Sequence, residues 1–472
     1  MATRRILLNL AAETLVDVTD YYDDTWANAI TDAHIALVAL GGGVLYFPDG
    51  DYEIGEGDVT IPSNITWRGE TGATIESGET SVYNFLITVS DKTNVTIENM
   101  IFDQRGDSAL LPTISPYKAC GCIWFDACNN IDIHNCTFYV YGIAPIFVDD
   151  WDAASETTSL VEFKNNYVYW QRKSDTWYDA SVTHIQTKTI EYSGNYIESV
   201  VTGFATHVAR TGFECHSPNG YITNNEFKGC QVGALNNPWP SHWNYYDSEY
   251  VGAMLIDQNT ITNGGAMGFE LWLGLKGNGR DLKNLTIENN TIGLYMKNNG
   301  YSKPGSAITF FQGGAFTAEA YDIDINNNDI NLTYDTGYAA NLAAVSSVYY
   351  LLQYGEDTGA FNFNVDNNLH DINVYENTVD QFPYSLLNLY RRSGGGADIH
   401  EDVNFYDNTS TDSHYATPYD HTTQSEYCFT IGYATSCEIK DNAMDNTNIA
   451  IVGEKEELAG VVTLTYTGNT FV

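Results

Sequence analysis

The feature that most limits what this chain can fold into is a phrase that recurs at a nearly fixed period. A short β-rich run is followed by a turn residue, then Asn, then another β-rich run. It reads Thr-Ile-Glu-Asn-Met at 96–100, Asp-Ile-His-Asn-Cys at 132–136, Glu-Phe-Lys-Asn-Asn at 162–166, Glu-Tyr-Ser-Gly-Asn at 191–195 and Tyr-Ile-Thr-Asn-Asn at 221–225. The last slot then falls on Asn259, Asn290, Asn328, Asn377, Asn408, Asn442 and Asn469. From Met100 to Asn469 there are twelve copies, on average about 34 residues apart, and all but Met100 and Cys136 hold Asn in that slot.

A repeat of this length means a solenoid or an array, in which one unit cannot bury its own apolar face and stacked units bury it together. Ile, Val, Thr, Phe and Tyr flank each Asn with period-2 alternation, so the stacked units are strands; the 3.6-residue pattern of helical repeats is absent. A repeated Asn at a tight turn has a physical cause. Asn tolerates the left-handed conformation, and its amide can bond the Asn one coil above and below, at a spacing of about 4.8 Å.

Charge narrows the partners. Lys plus Arg number 21 against 61 Asp plus Glu, a formal net charge of −40. Neither a nucleic-acid surface, which needs clustered cations, nor docking on an anionic membrane fits that balance. No apolar run is long enough to span a bilayer. The N-terminal run Ile6–Ala12 is short for a secretory signal and runs directly into Glu13. The eight Cys are too few for a disulfide scaffold and lack the spacing of a zinc knuckle, so they read as buried free thiols of a chain folded in a reducing cytosol. No cofactor is required. Scattered Asp and Asn could bind Ca²⁺, although no loop matches a Ca²⁺-binding pattern.

The segment before the repeat differs. Asp23-Asp24-Thr25 precedes Trp26, Ile30, Leu37 and Val38, which share one face of a helix with an Asp cap, and Gly41-Gly42-Gly43 ends it. Val44–Tyr52 then reads as strand, turn, strand. Residues 1–60 are therefore expected to cap the open end of the solenoid formed by 61–472. The run "GGGVLYFPDGDYEIG" after a helix resembles the opening segment of pectin-lyase-like right-handed parallel β-helix proteins, a superfamily that includes polygalacturonases, polysaccharide lyases, epimerases and bacteriophage tailspike depolymerases. The fold implied is all-β, a single-stranded parallel β-helix of about twelve coils with an N-terminal capping helix.

The resemblance also implies three strands per coil, a cleft along the first sheet, and the Asn turn between the second and third. Counting back from each Asn gives first-sheet strands at Cys122–Cys128, Pro145–Asp150, Val182–Thr187, Gly212–Ser217, Gly233–Asn237, Gly268–Leu273 and Ala307–Gln312. Alternation sends Ile123, Phe125, Ile146, Val148, Phe213, Cys215, Phe269 and Leu271 inward. The outward columns are then Trp124, Phe147, His184, Glu214, Leu235, Glu270, Thr309 and Asp126, Asp149, Gln186, His216, Asn237, Trp272, Phe311. Paired carboxylates on such a face can act as general acid and base in glycosidic cleavage.

Asp126, then Asp149-Asp150 one coil on, then His184 resembles the polygalacturonase order, in which the Asp residues supply the acid and activate water and the His assists. Trp124-Phe125 and Thr183-His184-Ile185 depart from that family's local motifs, and its uronate-gripping Arg-Ile-Lys is missing, so a neutral or differently charged glycan is expected rather than galacturonan. Glu214 and Glu270, both in Gly-Phe-Glu, form a second candidate pair two coils apart. Arg172, Trp177, Arg210, His216, Asn237, Trp239, Trp243 and Trp272 are candidate substrate contacts, since flat rings stack on sugars and the scarce cations could hold a sugar carboxylate. The expected function is a polysaccharide depolymerase, extracellular or virion-associated. A lyase or epimerase and a non-catalytic adhesin or structural spike are the alternatives. Tailspikes are commonly trimers, so a homotrimer is one assembly open to the chain, with the insertion between Asn328 and Asn377 as a subunit contact.

Overall fold

In the computed structural model, the described residues are 13–78, 85–104, 121–140, 144–149, 160–170, 181–199, 211–217, 219–230, 232–236, 253–264, 267–273, 282–296, 306–312, 319–334, 359–364, 369–380, 385–390, 400–411, 427–431, 436–444, 450–454 and 463–471. Among them the strands form three sheets, each strand pairing in parallel with its counterpart one coil away. The first sheet has 12 strands, the second 15 and the third 14. The chain is a right-handed parallel β-helix.

Alternation along each strand builds the interior. On the first sheet Ile123, Phe125, Ile146, Val148, Phe213, Cys215, Phe269 and Leu271 are buried in one continuous core, as their parity requires. Aromatic rings at equivalent positions stack along the axis: Phe102 on Phe138 at 5.1 Å, Phe163 on Tyr192 at 5.3 Å, and Tyr192 on Phe213 at 3.8 Å. Cys122, Cys128, Cys136, Cys215, Cys230 and Cys437 are free buried thiols, and burial raises the pKa of Cys136 and Cys230 to about 12.

The Asn turn divides two tasks that the sequence reading assigned to one residue. The left-handed conformation falls on the residue before the repeated slot, at Asn99, Asn135, Asn165, Gly194, Asn224, Gln258, Asn289, Asn327, Glu376, Asp407, Asp441 and Gly468. The slot residue does the stacking. From Asn195 to Asn442, the backbone N–H and side-chain amide of each Asn both donate to the side-chain oxygen of the next, as from Asn225 to Asn259 at 3.0 and 2.9 Å. Each amide also donates back to a carbonyl of the preceding coil, as Asn259 does to Ile222 at 2.7 Å. The ladder crosses the long 328–377 interval without a break, Asn328 donating to Asn377 at 2.9 Å. That insertion therefore leaves the ladder intact; residues 335–358 within it lie outside the described residues.

At the N-terminal end a helix spans Trp26–Ala39. Its cap is Thr25, not an Asp: the Thr25 hydroxyl accepts from the Asn28 N–H, and Asp24 steadies the cap by accepting from the Thr25 N–H. Thr is favoured there because its oxygen meets an otherwise unpaired amide. Gly41 and Gly42 close the helix with the Gly42 N–H donating to Leu37 O and the Gly41 N–H to Val38 O. Ala29, Ile30, Ala33, His34 and Leu37 face the core, whereas Val38 is exposed, because the buried stripe follows i, i+3, i+4 and leaves Val38 beside it. The strands Gly43–Phe47 and Gly50–Ile54 are already rungs of the second and third sheets.

Candidate active site

The outer face of the first sheet collects the chemistry. Its strands include Gly121–Asp126, Ala144–Asp149, Ser181–Gln186, Thr211–His216, Val232–Asn236, Met267–Leu273 and Ser306–Gln312. Register aligns Trp124 with Phe147, Phe147 with His184, His184 with Glu214, Glu214 with Leu235, Leu235 with Glu270, and Glu270 with Thr309. A second column aligns Asp126 with Asp149, Gln186 with His216, and Trp272 with Phe311. Among the described side chains, Trp124, Phe147, Glu214, Asp126 and His216 lie opposite the core-facing residues, because successive side chains of a strand alternate.

Glu214 and His216 form the best-defined contact on this face. Two residues apart on one strand, they point the same way and meet at 3.0 Å between Glu214 Oε1 and His216 Nε2. Glu214 keeps partial exposure at 19%, whereas His216 is 1% exposed although it points away from the core. Glu270 is likewise withdrawn at 3%, with the buried Thr309 in register beside it, and Gln186 is buried beside His216. A dry outward face strengthens every charge interaction on it relative to open water. Glu214 and Glu270 stand two strands apart, a backbone separation of about 10 Å. Asp126 and Asp149 stand one strand apart, about 5 Å.

For Asp149, His184 and Trp272 the backbone position is defined and the side chain is not described. Asp150, Arg172, Trp177, Arg210, Asn237, Trp239 and Trp243 lie outside the described residues. Among the described residues, no group of three or more His, Cys, Asp or Glu side chains is arranged to hold a metal ion, and no helix is long and apolar enough to cross a membrane.

Sequence reasoning missed a second ionisable cluster, on the outer face of the second sheet. Arg68 pairs with Glu13 at 2.8 Å and with Glu98; His134 lies 3.4 Å from Glu98 and 3.8 Å from Asp132; Lys164 pairs with Glu162 at 2.9 Å. Burial raises the Asp132 and Glu191 pKa values, Glu191 also through its hydrogen bond to Glu162. The signal was available in the register: 98 aligns with 134 and 134 with 164 down one column, while 132, 162 and 191 align down the next. Its charges are largely satisfied by one another, which suits a structural ladder on a solvated face.

No protein-family profile matches the chain, and no curated protein does. Solved structures do. A tailspike protein mutant of E. coli bacteriophage HK620, in complex with pentasaccharide, is similar with a TM-score of 0.60 at 12% identity, over 97% of this chain and 80% of that one. Another structure of the HK620 tailspike with pentasaccharide gives 0.58 at 11% identity, over 96% and 78%. A hyperthermoactive exopolygalacturonase from Thermotoga maritima gives 0.44 at 11% identity, over 91% of each chain. The fold is that of the pectin-lyase-like parallel β-helix proteins.

Proposed function

We propose that the chain is a glycoside hydrolase that depolymerises a polysaccharide, with Glu214 and Glu270 as its carboxylate pair. The observation that carries this reading is the single outward column holding both groups two strands apart, with Glu214 bonded to the buried His216. Glycosidic cleavage needs one carboxyl to protonate the leaving oxygen and one carboxylate to activate water. Glu270 takes the acid's part as the more deeply buried of the two carboxyls. Glu214 takes the base's part, its carboxylate accepting the His216 Nε2–H bond that holds its orientation. A separation of this order leaves room for water between the groups and favours inversion. The likeness to a tailspike seen with a pentasaccharide supports a glycan as substrate and a virion-associated setting.

The rival pair is Asp126 and Asp149, with Asp150 and His184 as further candidates, favoured by the direct register of Asp126 on Asp149. The remaining substrate contacts proposed are Arg172, Trp177, Arg210, Asn237, Trp239, Trp243 and Trp272. The test is a panel of polysaccharides incubated with purified protein, read for new reducing ends. Reducing ends without an ultraviolet-absorbing unsaturated product support hydrolysis, and the unsaturated product would make the chain a lyase. Binding with no cleavage of any kind would make it an adhesin and end the hydrolase reading. Among active-site variants, loss in Glu214→Gln and Glu270→Gln supports the pair. Full activity in both, with loss in Asp126→Asn and Asp149→Asn, transfers the chemistry to the rival.

A further inference from the structure

The third sheet carries an aromatic patch on a face that the candidate active site does not share. Its strands Thr137–Val140, Tyr167–Trp170, Tyr196–Ser199 and Glu226–Lys228 pair in register. Thr137, Tyr167, Tyr196 and Glu226 form one outward column, and Tyr139, Tyr169, Glu198 and Lys228 form the next. On flanking coils the first column holds threonine, at Thr137, Thr260 and Thr291. Tyrosines on three successive coils interrupt that pattern. Phe138, Val168 and Ile197 between them are buried in the core, whereas Tyr139, Tyr167, Tyr169 and Tyr196 are partly exposed. The Tyr167 and Tyr196 rings are parallel to within 2°, with centroids 5.0 Å apart. Tyr169 lies 6.2 Å from Tyr167, and Tyr139 lies 6.1 Å from Tyr169. Parallel rings in full overlap would stand about 3.5–4.0 Å apart, so Tyr167 and Tyr196 are offset, which leaves part of a ring face uncovered.

A polar group borders the rings. Lys228 Nζ donates to Glu198 Oε1 at 2.9 Å and to the Tyr196 hydroxyl at 3.4 Å, and that hydroxyl donates to Glu198 Oε2 at 3.1 Å. An ammonium has three donors. With two of them placed and the Lys228 side chain 39% exposed, one is left within reach of a ligand. Lys228 also offsets the Glu198 charge. Carboxylates flank the patch at both ends, Asp103 aligned with Tyr139 and Glu226 with Tyr196. They repel an anionic polymer and leave a neutral one unopposed.

We infer that this patch is a second glycan-binding site, for a neutral polysaccharide, separate from the face that holds Glu214 and Glu270. Exposed ring faces pack on the C–H face of a pyranose, and the free Lys228 donor meets a sugar hydroxyl. The rings cover two strand spacings by one two-residue step, about 10 Å by 7 Å. That suits a short sugar segment and is far below the roughly 800 Å² per partner of a stable subunit interface. The site can hold a polymer without taking part in its cleavage.

Hydroxyl-radical footprinting with mass spectrometry reads the four rings one by one on the full chain. The probes are dextran, laminarin and galactomannan, with polygalacturonate as the anionic comparison. At least one neutral polymer should protect Tyr167 and Tyr169, and polygalacturonate should protect neither. Tyr167→Thr installs the residue that its column holds on flanking coils. In affinity electrophoresis it should weaken retention by that polymer about fivefold, the scale of one lost aromatic contact, while Tyr167→Phe retains it. Should Tyr167→Thr not fold, Tyr169→Thr removes the neighbouring ring, with Thr262 as the precedent in its column. A chain that binds here and cleaves nothing refutes only the hydrolase reading. Cleavage of a neutral polymer that leaves these rings unprotected refutes only this inference. The inference is also overturned by protection from none of the neutral polymers, by equal protection from polygalacturonate, or by unchanged retention in a threonine variant whose circular dichroism matches the parent. Protection that rises with protein concentration in the absence of glycan would make the patch a subunit contact and overturn it as well.

Discussion

The asparagine ladder makes a quantitative prediction at Asn290. Its side-chain oxygen accepts from the Asn259 N–H at 2.9 Å and the Asn259 amide at 3.0 Å. Its own amide donates to Ile256 O, Glu288 O and Asn328 Oδ1 at 2.9 to 3.0 Å. The residue is 1% exposed, so water cannot replace any of these partners. Asn290→Ala leaves at least one buried donor of Asn259 wholly unpaired and a second short of a partner. At about 1–3 kcal/mol for each buried group left unsatisfied, the cost is roughly 2–6 kcal/mol. That is a large part of the 5–15 kcal/mol that typically separates folded from unfolded chains. Urea unfolding followed by circular dichroism reads the shift, and hydrogen exchange at the Asn259 amide reads its cause, since that amide should lose its protection. Asn290→Asp keeps the acceptor but turns a carboxylate oxygen toward Asn328 Oδ1. Its folded-state pKa must rise above the unfolded value, so the variant should be least stable at neutral pH and recover as pH falls through that raised pKa. The neighbouring Asn289→Gly is the control: Asn289 is exposed and left-handed, and glycine adopts that conformation freely, so the change should stay within a few tenths of a kcal/mol. A cost below about 1 kcal/mol in Asn290→Ala, with the Asn259 amide still protected, would refute the claim that the ladder holds the coils together.

Replacing either member of the proposed pair, Glu214→Gln or Glu270→Gln, should lower the depolymerisation rate roughly 10²–10⁴-fold, and product released by the parent should carry the inverted anomeric configuration by NMR. His34 accepts the Trp67 indole N–H at 2.8 Å, and burial lowers its pKa to about 4. A depressed folded-state pKa means that stability from neutral His34 is complete above its ordinary value near 6.5 and is lost as pH falls toward 4, about 3 kcal/mol in all; His34→Gln, which keeps an acceptor and does not titrate, should flatten that part of the stability–pH curve. Cys136, Cys215, Cys230 and Cys437 should resist alkylation in the native protein at pH 8 and label fully in urea, read site by site by mass spectrometry, because burial holds them as thiols. Gly220 has a φ of 128° and its missing Cβ would strike the Ile190 carbonyl, so Gly220→Ala should cost well over 1 kcal/mol in urea unfolding.

Much of this molecule was legible because a solenoid is nearly one-dimensional: one coil's register fixes the next. The period of the Asn slot marks the coils, and strand parity sets the column from Trp124 to Thr309, whose register the paired strands keep throughout. What the pattern could not carry was local competition for the same turn. Asn suits both the left-handed position and the stacking position, and only the backbone angles show that Asn165 takes the first and Asn166 the second. The capping residue failed for a similar reason, since Asp24 and Thr25 can each accept the same amides and the helix starts one residue later than the acidic pair suggests.

Sequence alone thus determined the repeat, the strand faces and the column on which Glu214 and Glu270 stand, because side-chain direction follows from a period of two. Tertiary structure alone decided which outward groups are dry, which are paired and which are orphaned. Those properties depend on what packs over a residue from distant coils. That is why the burial of His216 and Glu270 and the unpaired Trp124 N–H had no counterpart in the linear pattern.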